Sequence, residues 1–100
     1  MARLDLFANP GDGGGFVVDV QANALGHLST RVVVPLLPTA EAPKPARHLN
    51  PVIAIAGQPH VLLPQFMGAL SLAELGTAVG DLVRHGDGIL AAVDFLLTGV

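Results

Sequence analysis

A chain of 100 residues, 51% hydrophobic and only 13% charged, has room for one domain with one core and more apolar surface than that core hides, which points to a partner-facing surface. Five Lys and Arg against eight Asp and Glu, a net charge of -3, leave no basic stripe to follow a phosphate backbone, and the lack of cysteine excludes disulfides and thiolate metal sites. Met1-Ala2-Arg3-Leu4-Asp5 has no signal-like apolar stretch and no apolar run reaches the about 18 residues of a membrane span, so the cytoplasm, with no membrane contact, is the expected location.

Arg3 to Phe7 alternates polar and apolar residues, with Leu4 and Leu6 on one side and Arg3 and Asp5 on the other, as a half-buried strand requires. The glycine-rich segment Asn9 to Gly15 then reverses the chain into Phe16-Val17-Val18-Asp19-Val20, which predicts an antiparallel hairpin. Arg31 to Leu36 reads as a third strand, whose Pro35 lacks an amide hydrogen and belongs at an edge or strand end. From Leu37 to Lys44, Pro38 and Pro43, with Pro45 just beyond, predict an extended surface excursion, a small wing without a regular central strand.

Val52 to Ala56 and His60 to Leu63, on either side of Gly57-Gln58-Pro59, form a second predicted hairpin. Ser71-Leu72-Ala73-Glu74 has capping-box spacing, but Gly76 and Gly80 limit its helix to about one turn. The long helix is predicted from about Asp87, as cap, to Leu97, with Ile89, Leu90, Val93, Leu96 and Leu97 forming an apolar stripe that ends at Gly99. Several short strands and one terminal helix predict a mainly β fold, a partly open barrel or strongly bent sheet with the helix packed on it.

Catalytic and metal chemistry find little support in the residue pattern. The Gly11 to Gly15 run leads into a strand without a nearby lysine, unlike a phosphate loop. His27, His48, His60 and His85 are too scattered for metal-ligand spacing, and none of Ser29, Thr30, Thr39, Ser71, Thr77 or Thr98 sits in a nucleophile elbow. Neither a metal nor a cofactor is expected. Asp19, between Val18 and Val20 in a strand, faces away from both and is either an exposed alternating residue or a buried, hydrogen-bonded one. Leu96, Leu97 and Val100 extend the helix stripe to the end of the chain and are candidates for a partner surface.

Phe16-Val17-Val18-Asp19-Val20-Gln21, Arg31-Val32-Val33-Val34-Pro35-Leu36 and Leu49-Asn50-Pro51-Val52-Ile53 follow one another in an order that resembles the CcdB family of toxins. Gly76-x-x-Val79-x-Asp81-Leu82, the apolar terminal helix and Gly99-Val100 extend the resemblance over nearly the whole chain. It implies a single CcdB-like domain over residues 1–100: an SH3-like, partly open barrel of antiparallel strands with a small side sheet and one C-terminal α-helix. It also implies a homodimer that binds the A subunit of DNA gyrase and traps the enzyme with its DNA cut, without catalysing a reaction itself.

On that resemblance the gyrase contact uses Leu25, Asp94, Leu97, Thr98, Gly99 and Val100. Thr98 departs from the family, which ordinarily has tryptophan there; an indole stacked on a guanidinium is worth about 1 to 2 kcal/mol when desolvated, and threonine supplies no such contact. The resemblance further implies a cognate CcdA-like antitoxin, with which the toxin represses its own operon, the antitoxin supplying the DNA contact. The glycine-rich Asn9 to Gly15 loop, where polar and basic side chains are usual, points to specificity for a different antitoxin. Two alternatives stand beside this reading: an attenuated homologue that binds antitoxin without poisoning gyrase, and a ribonuclease toxin of the same fold using Arg31, Arg47 and Arg84.

Overall fold

Alternating apolar residues in Asp5–Ala8 (β1) and Phe16–Asp19 (β2) bring the two strands together antiparallel, with Leu6 opposite Val18 and Phe7 opposite Val17. The computed structural model describes residues 2–11 and 13–99. Between the strands the Asn9 side chain organises the reversal, accepting the Gly11 N–H at 2.9 Å and donating to the Gly14 carbonyl at 3.0 Å. β1 begins later than the alternation suggests, because Leu4 takes a positive φ of 73° and the Asp5 N–H turns back to Ala2.

Thr30–Pro38 (β3) is the hub of the sheet. One side of it pairs with β2; the other pairs first with Gly68–Ser71 (β6) and then with Gln58–Leu62 (β5), itself hairpinned to Val52–Ile55 (β4). Gly80–Asp81 (β7) adds to β1, so the order is β4-β5-β3-β2-β1-β7 with β6 beside β3, all antiparallel. The curled sheet is the half-open, SH3-like barrel expected, and among the described residues β4, β6 and β7 each have a single strand partner.

Pro35 lies in the interior of β3 and not at an edge or end. Its carbonyl accepts the Leu63 N–H at 2.9 Å, on the side away from β2. The missing proline N–H therefore falls where β6 gives way to β5, and no ladder bond is lost there. The proline-rich stretch from Thr39 to Pro51 has no strand of its own, and the side extension of the sheet is the β4–β5 hairpin attached to the outer end of β3.

Successive strand residues point to opposite faces, so the sheet buries two clusters. Leu6, Val18, Val34, Leu36 and Leu62 pack with Ile89 and Ala92 of the terminal helix, while Phe7, Val17 and Val33 meet Leu75 on the other face. Leu75 belongs to the short helix Leu72–Leu75 (α1), whose capping box is present as the sequence predicts. The terminal helix Gly86–Thr98 (α2) is capped differently: the 3-10 turn Val83–His85 runs into it, His85 takes the cap position, and Asp87 lies inside the first turn. Gly86 accounts for this close entry, because a Cβ there would come within 2.8 Å of the Leu4 side chain.

Candidate functional site

The apolar stripe of α2 divides along its length. Ile89 and Ala92 are buried against the sheet, whereas Leu96 is 37% and Leu97 64% exposed, so the last turn leaves the core while keeping its apolar character. Asp94, Leu97 and Thr98, spaced three and four apart, share the outward side of this turn. The Thr98 hydroxyl donates to the Asp94 carbonyl at 2.7 Å, folding its polar end back on its own helix. Gly99 closes the helix in the left-handed conformation, φ 76°, and its N–H reaches the Phe95 carbonyl at 2.9 Å. Val100 lies outside the described residues.

Leu25, the remaining predicted contact, stands on the 3-10 turn Asn23–Leu25, 46% exposed. That turn and α2 are not among the extensively packed pairs of elements within one chain. Gln21 fixes it instead: the side-chain amide donates to the Leu25 carbonyl at 2.9 Å and its oxygen accepts the Val32 N–H at 3.1 Å, stapling the turn to β3. Arg3 braces the same region, its N–H bonded to the Asn23 side chain and its guanidinium to the Val20 carbonyl.

Asp19 takes the buried alternative. It pairs across the ladder with Val33, and Arg31, two residues along on the same face, places its Nε 3.3 Å from the carboxylate with both side chains essentially inaccessible. Burial pushes the Asp19 carboxyl above its ordinary value, while the Gln21 N–H bonded to it and the Arg31 guanidinium pull the other way. Arg31 is thereby committed to the interior, while Arg47 and Arg84 are exposed. The pairing of Asp19 with Arg31 and the stapling role of Gln21 were not foreseen from sequence; their only trace was three large polar residues among valines.

His27, His48 and His85 are exposed; His60 is buried, its Nδ1 2.9 Å from the Gln58 carbonyl and its ring edge-on to Phe16. Among the described residues no three of His, Asp and Glu converge as a metal cage, and no helix is long and apolar enough to cross a membrane. Ser71 is occupied by its capping box with Glu74.

Solved structures share this architecture. A mycobacterial endoribonuclease in complex with its cognate antitoxin superposes with a TM-score of 0.78 at 20% identity, covering 97% of this chain and 94% of that one. The Mycobacterium tuberculosis toxin MazF-mt6 gives 0.74 at 15% identity over 93% and 95% of the two chains, and a MazE–MazF structure from Deinococcus radiodurans 0.70 at 13% over 97% and 93%. At such identities the likeness is one of fold. No curated protein matches the chain. The family model described as CcdB protein matches residues 3–99, which takes in the β1–β2 hairpin, the β3 hub and the exposed end of α2, and the chain belongs to the CcdB family.

Proposed function

We propose that this CcdB-family toxin works by occupying its target: as a two-fold dimer it presents two α2 ends to the A subunit of DNA gyrase and holds the enzyme on cleaved DNA. The observation that carries the reading is the last turn of α2, where Leu97 is 64% exposed beside the left-handed Gly99, an apolar tip with no role in the core. An isologous dimer suits a target with its own two-fold axis, because each half meets the same patch. A cognate antitoxin neutralises the toxin and supplies the DNA contact through which the pair represses its operon.

With Thr98 in place of the family tryptophan, the anchor of the interface falls to Leu97 and whatever Leu25 adds. Aromatic anchors carry a large share of interface energy, so poisoning weaker than a tryptophan-bearing toxin's is expected. The test is a plasmid supercoiling and cleavage assay with gyrase from the source organism, comparing the native chain with Thr98→Trp. Cleaved complexes with either protein support the reading, and stronger trapping by the variant assigns the native chain to an attenuated branch. Undiminished supercoiling and no cleaved plasmid with both overturn it.

A second reading, a ribonuclease toxin, draws on the endoribonuclease neighbours. Of the three arginines it relies on, Arg31 is 1% exposed and held by Asp19, out of reach of an RNA substrate. Incubation with total RNA separates the readings: specific cleavage fragments favour the ribonuclease, undegraded RNA the gyrase binder.

A further inference from the structure

A cleft of about 330 Å³ separates α2 from the turn before β4, with Pro45–His48, Asn50 and Pro51 on one wall and Gly88 on the other. The turn is rigidly built. Asn50, 6% exposed, accepts the Ala46 N–H at 2.9 Å and donates to the Leu62 carbonyl and the Gln65 side chain, each at 2.9 Å. His48 is held at a φ of 67°, a conformation costly for a side chain with a Cβ, and its ring leans on Phe95 with 6.0 Å between centroids.

Two features set this cleft apart from the rest of the surface. The first is charge: in a chain of net charge -3, the exposed Arg47 lines the cleft, with the exposed Lys44 just before its lining residues and the exposed Arg84 on the 3-10 turn that precedes α2. Arg47 and His48 line the cleft directly, Arg84 precedes Gly88 by four residues, and no carboxylate among the described residues pairs with Arg47. Asp87, beside Gly88, is the nearest acidic neighbour in sequence. The second feature is Gly88 itself. Glycine inside a helix is unfavourable relative to alanine, and a Cβ at position 88 would meet nothing within 4 Å, so internal packing does not require it. With no side chain at position 88, a ligand in the cleft can approach the helix backbone closely.

We infer that this cleft binds an acidic side chain of a peptide partner, an Asp or Glu carboxylate held by the Arg47 guanidinium and the His48 imidazole. The neighbouring apolar residue of the peptide lies on Pro45, Ala46 and Pro51. A guanidinium fork matches a carboxylate in geometry, and the prolines supply the apolar shelf that a nucleic-acid strand has no use for. A polyanion would also meet the acidic remainder of the surface outside the cleft. The site is distinct from the α2 end and independent of the gyrase reading.

The test is selection from a random displayed heptapeptide library on the full-length protein, in parallel with its Gly88→Leu and Arg47→Ala variants. Gly88→Leu fills the cleft from a position with open space and raises helix propensity, so it is expected to keep the native melting temperature. Clones enriched for Asp or Glu next to an apolar residue, bound about tenfold less tightly by either variant, support the site. Replacing the acidic residue of a selected peptide by its amide is expected to give a similar loss. No enrichment above the Gly88→Leu background, or enriched peptides without an acidic residue, overturns it. A labelled single-stranded RNA that binds the native chain and not Gly88→Leu also overturns it, assigning the cleft to nucleic acid.

Discussion

The Arg31 Nε lies 3.3 Å from the Asp19 carboxylate with both side chains sealed inside the sheet, on the face opposite the terminal helix. Removing one member of a buried pair strands the other, which costs about 3 to 5 kcal/mol. Arg31→Met is therefore expected to lower the unfolding free energy by about that amount at neutral pH, read as a fall in urea midpoint. The pH dependence has a definite sign. Burial already raises the Asp19 carboxyl, so the folded chain holds its proton more tightly than the unfolded one. The linked stability is complete below the ordinary value of 3.8 and is lost as pH rises through the native value. Without Arg31 the native value climbs further, and the variant regains stability on acidification more steeply than the native chain.

Glu74 has the opposite sign. The Ser71 N–H and hydroxyl hold its carboxyl below the ordinary 4.5, so it contributes stability above that value and loses the contribution as pH falls through its native one. Urea midpoints of the native chain and Glu74→Ala are expected to differ at pH 7 and to converge as pH falls below the carboxyl's native value. A gap that persists in acid would mean that the carboxylate charge contributes nothing.

Gly15 and Gly14 both have positive φ, but only Gly15 lies against a neighbour: a Cβ there would run into the Leu36 carbonyl oxygen in β3. Gly14→Ala is expected to cost about 1 kcal/mol for its conformation alone. Gly15→Ala adds a backbone clash across the β2–β3 ladder and is expected to cost about 3 kcal/mol. Thermal melts of the two variants compare them directly.

Gln21→Ala removes two bonds that hold the turn bearing Leu25. The expected stability loss is about 1 to 3 kcal/mol, because the Val32 N–H loses its acceptor in a partly buried setting. Amide exchange over residues 22–28 is expected to speed up while exchange in α2 stays unchanged. Uniform acceleration across the chain would argue against a local staple.

Leu97→Lys changes a side chain that is 64% exposed, so its effect on stability is expected to stay within about 0.5 kcal/mol. Under the proposed function gyrase trapping is lost all the same. Surface binding to immobilised gyrase A subunit, with the melting temperature as control, reads both quantities.

Much of the barrel could be read from the valine runs, because β-branched alternation around glycine breaks leaves few other arrangements. β6 and β7 could not be. Gly68-Ala69-Leu70-Ser71 has no β-branched residue and β7 is two residues long, so both are strands because β3 and β1 hold them in register. The misplacement of Pro35 has a similar cause: a proline is forbidden in a central strand only where its N–H has a ladder partner, and a partner change along the strand is invisible in the sequence. At the candidate site, the stripe running past Leu96 announced the exposed helix end. The link between Asp19 and Arg31 depends on strand register, which places residues far apart in sequence on one face.

The three strands with a single partner among the described residues, β4, β6 and β7, have a bearing on crowding by copies of the chain itself. β7 offers two residues and β6 four, and just before β4 the Pro51 carbonyl turns inward to Leu62, so by alternation only Val52 and Ala54 of β4 direct their backbone outward. An edge this short is a poor template for continuing the sheet into a neighbouring molecule. Sheet-to-sheet pairing between copies is thus disfavoured, and meetings between them are left to side-chain surfaces.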